Sequence, residues 1–498
     1  MDILGNLTLG FLTATTPNNL LFCLLGCLLG TLIGVLPGLG PTATIALLLP
    51  ITFYLEPVTA LIMLAGIYYG SQYGGSTTAI LVRIPGESAS VVTCLDGHEM
   101  ARQGRAGAAL AVAALSSLFA GCIATVAIAA LGPPLAMIAL EFGPAEYVSL
   151  MVLGLISAVV LAHGSVLKAI MMIFVGLLLG LVGIDVNSGE QRFTFGLPEL
   201  FEGIGFVTLA MGLFGLAEII GNLEETAGKG RVTAALSRLW PTREDVRRSA
   251  PAAVRGTLLG TALGILPGGG STLSAFAAYA LEKKVSRDPG QFGHGAVEGV
   301  AGPEAANNAA SQSCFIPMMS LGIPPSAIMA LMIGALTIHG ITPGPQVMTN
   351  HPELFWGMVA SMWIGNLILV VLNLPLIGLW VRILNVPYAF LFPAILVFCC
   401  IGAFSVNNSA FEVILMAGFG VFGYVLRKLG CEPAPLLLGF VLGPMLEENF
   451  RRAMLLAYGD ATVFVTRPIS AGLLLAALAV LLLIVAPSFR RAREELRE

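Results

Sequence analysis

Long runs of apolar residues, separated by short polar segments, recur along the whole chain. A helix needs about 20 mostly apolar residues to cross the hydrocarbon core of a bilayer, so runs of this length predict transmembrane helices. Several runs are short or contain Gly and Pro, which is typical of half-membrane helices. The pattern predicts an all-α integral membrane protein with about 12 transmembrane helices, some of them broken or re-entrant. The runs lie near residues 20–36, 41–55, 57–73, 106–131, 145–162, 165–184, 203–221, 252–267, 270–281, 322–339, 354–384, 386–404, 411–426, 432–446 and 468–487.

The amino-acid composition also indicates a protein that is embedded in lipid. The chain has 498 residues, of which 56% are hydrophobic and 11% are charged, whereas a soluble chain carries roughly 25% charged residues. The net charge of −4 excludes the basic footprint of a nucleic-acid-binding protein. Eight cysteines without a CxxC pair, and five histidines far apart in sequence, give no support to a metal or haem site. The start, MDILGNLTLG, lacks the basic n-region of a signal peptide, so we expect the first apolar run to stay in the mature protein.

Basic residues mark the segments that face the cytoplasm. None of the 25 Lys and Arg residues precedes Arg83, whereas seven fall between Lys229 and Arg255. Because cytoplasmic loops of membrane proteins are enriched in Lys and Arg, residues 223–255 are predicted to be a cytoplasmic linker. The linker would separate a first transmembrane repeat, residues 1–222, from a second, residues 256–450. Residues 451–498 would add a C-terminal helix and a basic cytoplasmic tail.

Two segments of the chain repeat one another. LGTLIGVLPGLGPT at 29–42 and LGTALGILPGGGST at 259–272 are identical at nine of fourteen positions. A second pair, 169–185 and 411–430, agrees in length and glycine placement. The copies differ in their flanking basic residues, which favours opposite orientations in the membrane. This is the inverted-repeat plan of many secondary transporters, whose substrate site lies near the midplane between the repeats.

The LPGxG sequence in each copy predicts a broken helix. Proline interrupts the helical hydrogen bonds, and glycine permits a turn with positive φ. The freed peptide groups must then lie against protein or a polar cavity, where amides favour anions and carbonyls favour cations. A plain proline kink is the alternative. We expect the coupling cation to bind at Thr42, Gly268, Gly270, Ser271 and Thr272.

Polar residues are concentrated in YGSQYGGSTTAILVRIPGE, residues 69–87. Gly75, Ser76, Thr77 and Thr78 could replace the hydration of a carboxylate or a sodium ion, although small residues also serve helix packing.

Arg83 in the same segment is a functional candidate, because arginine is costly inside a membrane. It could bind a substrate carboxylate, pair with Glu87 or Asp96, or extend to the interface.

The second half carries GPEAANNAASQSCFIPMMSLGIPPS, residues 302–326. Pro303 and Glu304 resemble the first turn of a helix. Asn307 and Asn308 follow, with carbonyl oxygens suited to hard cations and NH₂ groups suited to carboxylates. A capped, solvated loop is the alternative reading.

These motifs resemble the large membrane subunit of the tripartite tricarboxylate transporter family. The resemblance rests on GVLPGLGPTATIALLLP, YYGSQYGGSTTAIL with IPGE, Asp96-Gly97 ahead of MARQGRAG, and PEAANNA with LGIPPS and IHGITPGP. It extends over nearly all of residues 20–450. By position, it implies a substrate region that includes Gly38, Gly40, Gly75, Ser76, Thr77, Thr78, Pro303, Glu304, Asn307 and Asn308. The sequence departs from the expected pattern at Arg83, in place of an amide residue, and at Pro325, in place of Gly.

The resemblance implies secondary active import of carboxylates across the bacterial inner membrane. The substrate would be a tricarboxylate, a dicarboxylate or an aromatic carboxylate, and sodium or protons would be the coupling ion. It also implies a small membrane subunit and a periplasmic solute-binding protein as partners, with no cofactor.

Two other functions are left open by the residues themselves. A polytopic membrane enzyme acting on a lipid or quinone would need a titratable cluster, for which Asp96, His98 and Glu99 are the best candidates. A channel would pass solute without coupling to an ion gradient. No catalytic residue is predicted for the transporter.

Overall fold

The computed structural model describes residues 3–36, 40–161, 165–185, 188–224, 239–266, 270–383 and 388–485. These residues form 23 α-helices and one antiparallel hairpin, β1 (Gly183–Ile184) with β2 (Gln191–Arg192). The helices are α1 (Ile3–Ala14), α2 (Pro17–Val35), α3 (Pro41–Thr52), α4 (Pro57–Val82), α5 (Thr93–Met100), α6 (Ala106–Ala139), α7 (Pro144–Leu161), α8 (Val166–Gly180), α9 (Phe206–Ala210), α10 (Ala217–Glu224), α11 (Arg243–Ile265), α12 (Ser271–Val285), α13 (Glu298–Ser313), α14 (Phe315–Leu321), α15 (Ala327–Ile338), α16 (Gln346–Asn350), α17 (Pro352–Asn373), α18 (Ile377–Ile383), α19 (Tyr388–Asn407), α20 (Ala410–Lys428), α21 (Pro433–Leu456), α22 (Val463–Thr466) and α23 (Pro468–Val485).

The predicted all-α membrane architecture is confirmed. Within the described ranges, four helices are long and apolar enough to cross a bilayer: Pro17–Val35, Thr93–Ala139, Pro352–Asn373 and Ala410–Lys428. Further apolar helices of 10–17 residues, such as α3, α8 and α15, have the length of half-membrane helices. The exact number of spans and the division into repeats stay predictions. Residues 225–238 of the predicted linker and the tail beyond 485 lie outside the described residues.

Proline sets where many helices begin. It is the first residue of α2, α3, α4, α17 and α21. Its missing N–H costs nothing in the first turn, where the amide has no partner within the helix. The sequence reading was wrong at Pro303, which lies inside α13 rather than in its first turn, because the helix starts five residues earlier at Glu298.

Glycine allows α2 to lie directly against α4. Gly26, Gly30 and Gly34 occupy one face of α2, each against a carbonyl oxygen of α4, those of Met63, Ile67 and Ser71. A Cβ atom at any of these glycines would collide with that oxygen. Such small-residue faces bring helix backbones close together where lipid gives no hydrophobic drive to association.

The same packing recurs in the second half, 230 residues later. Gly256, Gly260 and Gly264 of α11 lie against the carbonyl oxygens of Gly302, Ala306 and Ala310 of α13. The α2–α4 and α11–α13 pairs therefore share one glycine register.

The two pairs meet through α4 and α13. The amide of Gln72 contacts Asn307, whereas Ser76, one turn further along α4, contacts Glu304, one turn earlier in α13. Since residue numbers rise along one helix as they fall along the other, α4 and α13 run antiparallel.

Replacing Gly260 with Ala is expected to lower the melting temperature of the purified protein by several degrees, because the added methyl overpacks the α11–α13 contact by about 1–3 kcal/mol. The matched control is Gly418→Ala in α20, where a Cβ would meet nothing within 4 Å. Thermal unfolding in detergent measures both. Equal melting temperatures for the two variants would contradict the close backbone packing.

Candidate functional site

Both predicted breaks interrupt helices. In the first half, α2 ends at Val35 and α3 begins after Gly40. In the second, α11 ends at Ile265 and α12 begins after Gly270, whose φ of 46° lies in the region open to glycine. The intervening residues 37–39 and 267–269, which include Gly38 and Gly268, lie outside the described residues.

The two helix starts line one cavity of about 420 Å³, here called the break cavity. Gly40, Pro41 and Thr42 come from the start of α3, and Ser271 comes from the start of α12. The full lining is Gly40, Pro41, Thr42, Gln72, Pro85, Gly86, Glu87, Ser88, Leu213, Phe214, Glu218, Ser271, Ile328, Arg427 and Pro433. The breaks, which are 230 residues apart in sequence, thus meet at the same polar space.

Glu87 lies in the break cavity and is held by amide groups. One carboxylate oxygen accepts a hydrogen bond from Asn307 Nδ2 at 3.2 Å, and the other accepts from the Ala89 N–H at 3.1 Å. With its amide oriented to donate, Gln72 Nε2 lies 2.7 Å from Glu87 Oε1 and 2.8 Å from Asn307 Oδ1. The predicted residue Asn307 therefore does not line the cavity but holds the Glu87 side chain in place there.

Glu218 of α10 occupies the start of α3. Its Oε1 accepts a hydrogen bond from the Gly40 N–H at 2.9 Å. Because the first amides of a helix carry partial positive charge, a carboxylate is stabilised at this position. Arg427, from the last turn of α20, lines the same cavity and supplies a full positive charge.

A second, much smaller cavity of about 10 Å³ lies beside Glu304. This Glu304 cavity contains the predicted residues Ser76 and Thr77. Its lining is Tyr73, Ser76, Thr77, Leu110, Ala113, Ala114, Ser117, Glu304 and Asn373. The predicted polar residues of α4 are therefore divided: Gln72 faces the break cavity, and Ser76 and Thr77 face the Glu304 cavity.

The remaining predicted residues serve contacts between elements. Gly75 packs against Gly86, and the Thr78 hydroxyl donates to the Gly75 carbonyl oxygen at 2.9 Å. The hydroxyls of Thr272 and Ser88 lie 2.8 Å apart and join the α12 start to the loop after α4.

The exposed side chain of Arg83 agrees with one of its three sequence-based interpretations, extension to the interface. Arg83 caps α4 with a left-handed backbone, φ 60°. No ion pair with Glu87 or Asp96 forms in the described part of the chain. Gly322 caps α14 in the same conformation, φ 73°, and both caps are followed by Ile-Pro. The same left-handed turn therefore ends a helix before Ile-Pro in each half of the chain.

The cluster expected for an enzyme does not form one site. Asp96 Oδ1 accepts hydrogen bonds from the N–H groups of Gly293, Gly295 and Ala296. His98 Nδ1 lies 3.0 Å from the Ile80 carbonyl oxygen, and Glu99 pairs with Arg102. Asp96 thus anchors the loop before α13.

A third cavity, of about 870 Å³, lies between α7, α8, α15 and α21, and is here called the large cavity. Its lining includes Phe142, Phe206 and Phe440 with Glu448 and Arg452 at polar positions. None of the residues predicted for the site lines it.

The three charged residues that line the break cavity had no part in the predicted site: Glu87, Glu218 and Arg427. Glu218 was detectable as a single acid in the apolar run AMGLFGLAEIIGN. Arg427 was used in the sequence only as an indicator of orientation.

Fold and site together define a multi-pass helical membrane protein whose broken helices meet at one shared cavity. The chain belongs to the tripartite tricarboxylate transporter TctA family, whose family model matches residues 20–438. The predicted family is confirmed, and the chain is a subunit of a tripartite transport system.

Two relatives come from Agrobacterium vitis. The chain is 59% identical over 495 residues, 99% of both chains, to the uncharacterized 52.8 kDa protein in the TAR-I ttuC′ 3′ region. It is 60% identical over 236 residues, 47% of this chain and 98% of the relative, to the uncharacterized protein in the TAR-II ttuC′ 3′ region. No solved structure matches the chain significantly.

Cysteine labelling tests whether the two breaks share a water-filled cavity. Thr42→Cys and Ser271→Cys are expected to react with a charged methanethiosulfonate at least about tenfold faster than Thr44→Cys and Ser274→Cys, because thiol reactivity follows exposure. The control positions are two residues further along α3 and three residues further along α12, and both are buried. Peptide mass spectrometry separates the new sites from the native cysteines. Labelling of only one break would contradict a shared cavity.

Proposed function

We propose that the chain is the large membrane subunit of a secondary active transporter that imports carboxylates across the bacterial inner membrane. A periplasmic solute-binding protein delivers the tricarboxylate, dicarboxylate or aromatic carboxylate, and a small membrane subunit completes the complex. A sodium or proton gradient drives uptake.

The observation that carries this proposal is the meeting of two helix starts at the break cavity. Helix N-termini present free N–H groups and the positive end of the helix dipole, and they bind anions. Glu218 already shows this chemistry, because its carboxylate accepts from Gly40. Thr42 and Ser271 therefore suit the substrate carboxylate better than the coupling cation first expected there.

Of the charged residues that line the cavity, Glu87 and Glu218 are acidic and Arg427 is basic, so binding of a carboxylate depends on Arg427 and the helix starts. Arg427 adds a guanidinium, whose planar donors match a carboxylate. Glu87 would repel an anion, but the amides of Gln72 and Asn307 hold it on one side. A substrate carboxylate then lies between the helix starts and Arg427.

An inverted repeat accounts for the geometry. The matched glycine faces of α2 and α11, together with the antiparallel course of α4 and α13, support two halves in opposite orientation. In transporters built this way, broken helices from both halves form the substrate site near the membrane midplane.

Uptake by reconstituted complex tests the role of Arg427. Arg427→Gln is expected to raise the KM for a radiolabelled carboxylate about tenfold, because a charge-assisted hydrogen bond is lost. Lys428→Gln is the matched control, since Lys428 is adjacent and does not line the break cavity. Identical KM values for the two variants would contradict the assignment.

The same proteoliposomes separate the other functions. Flux that ignores sodium and proton gradients would indicate a channel, and a chemically altered substrate would indicate an enzyme. Either result would overturn the proposed mechanism.

Replacing Asn307 and Asn308 with Leu is expected to abolish uptake and leave membrane insertion intact. The change removes a donor from buried Glu87 and the 2.7 Å hydrogen bond from Asn308 to the Ser117 hydroxyl. Uptake and membrane content are measured on the same preparation. Unchanged uptake would refute the role of this pair.

A further inference from the structure

Glu304 is a buried carboxylate without a cationic side chain beside it. Only 1% of it is exposed. Its Oε2 accepts a hydrogen bond from the Ser76 hydroxyl at 2.7 Å, and its Oε1 accepts from the Thr93 hydroxyl. No Lys, Arg or His of the described ranges forms an ion pair with it. Because a buried charge is costly unless it is compensated, this position requires a positive partner.

Asn373 of α17 lines the same cavity and carries an unpartnered oxygen. Its Nδ2 donates to the Leu369 carbonyl oxygen at 2.9 Å and to Thr31 Oγ1 at 3.3 Å, which fixes the orientation of the amide. The Oδ1 atom is buried without a hydrogen-bond partner, and Asn373 lines the Glu304 cavity. A buried unsatisfied oxygen of this kind points to a ligand.

Asn308 repeats the pattern one turn after Glu304. Its Nδ2 donates to the Ser117 hydroxyl at 2.7 Å and to the Glu304 carbonyl oxygen at 3.1 Å, and its Oδ1 is also unpartnered. Asn308 does not line the cavity itself but is hydrogen-bonded to Ser117, which does. The one full charge among the lining residues, that of Glu304, is negative.

Three occupants can be compared by what they satisfy. A proton on Glu304 neutralises the charge but gives nothing to the amide oxygen of Asn373. Water gives a donor to that oxygen but leaves the carboxylate uncompensated. A monovalent cation satisfies both. Hard cations prefer oxygen ligands such as carboxylates, carbonyls and hydroxyls.

We propose that the Glu304 cavity is a sodium site. The carboxylate of Glu304, the hydroxyls of Ser76, Thr77 and Ser117, and the amide oxygen of Asn373 bind the ion. A cavity of about 10 Å³ accepts one dehydrated ion of water size or smaller. The site deepens the proposed function, on which it rests, by naming the coupling ion and placing it apart from the helix breaks.

The position of the site explains how sodium acts on substrate. Its ligands come from α4, α6, α13 and α17, so the ion holds these helices together. Gln72 lies one turn before Ser76, and Asn307 lies one turn after Glu304. The same α4–α13 contact therefore positions Gln72 and Asn307 around Glu87 at the break cavity.

The test measures ²²Na⁺ binding and thermal unfolding of the purified full chain without substrate, in sodium, potassium or choline chloride at equal ionic strength. Sodium alone is expected to bind and to raise the melting temperature. Glu304→Gln and Asn373→Leu are expected to weaken sodium binding at least about tenfold. Ser361→Ala is the matched control, because Ser361 is buried on the same helix, its hydroxyl donates to the Met358 carbonyl oxygen, and it does not line the cavity.

Equal stabilisation by all three salts, replacement of the sodium effect by acid, or equal loss of sodium binding in Ser361→Ala would overturn the proposal. Should Asn373→Leu fail to fold, the isosteric Glu304→Gln decides alone. Sodium binding without carboxylate uptake would defeat only the proposed function. Uptake without sodium binding would defeat only the sodium site.

Discussion

Peptide groups released by a helix break inside hydrocarbon have no water to bind, and this constraint organises the centre of the protein. The start of α3 satisfies it directly, since the Gly40 N–H donates to Glu218. The start of α12 lies at the same cavity through Ser271. The first peptide groups of α3 and α12, which lipid could not solvate, therefore lie around one cavity. There the partial positive charges of their N–H groups can act on an anion.

Close helix packing makes that arrangement possible. The glycine faces of α2 and α11 let each broken helix lie against the backbone of its partner, α4 or α13. The antiparallel contact of α4 with α13 then brings the two breaks together. At the turn of α4 that contains Gln72, this contact borders the break cavity with Glu87. At the next turn of α4, which contains Ser76, it borders the Glu304 cavity. The two cavities are thus neighbours on one pair of helices.

The sequence was informative where a local rule applies. Apolar run length predicted the helical membrane class, and LPGxG predicted both breaks. It failed for α13, which is rich in Ala, Asn and Ser and is buried by protein instead of lipid, so hydropathy did not mark its start. For Arg83 the sequence left three roles open, because composition does not reveal the left-handed backbone that ends α4 there. Glu218 and Arg427 reach the cavity through contacts across the fold, which no spacing in the sequence specifies.

Cryo-electron microscopy of the complex with a brominated carboxylate tests the central claim most directly, since bromine marks the position of the ligand. The account predicts ligand density between the starts of α3 and α12, within reach of Arg427. Density confined to the large cavity beside Phe206 and Phe440, with the helix starts unchanged, would contradict it.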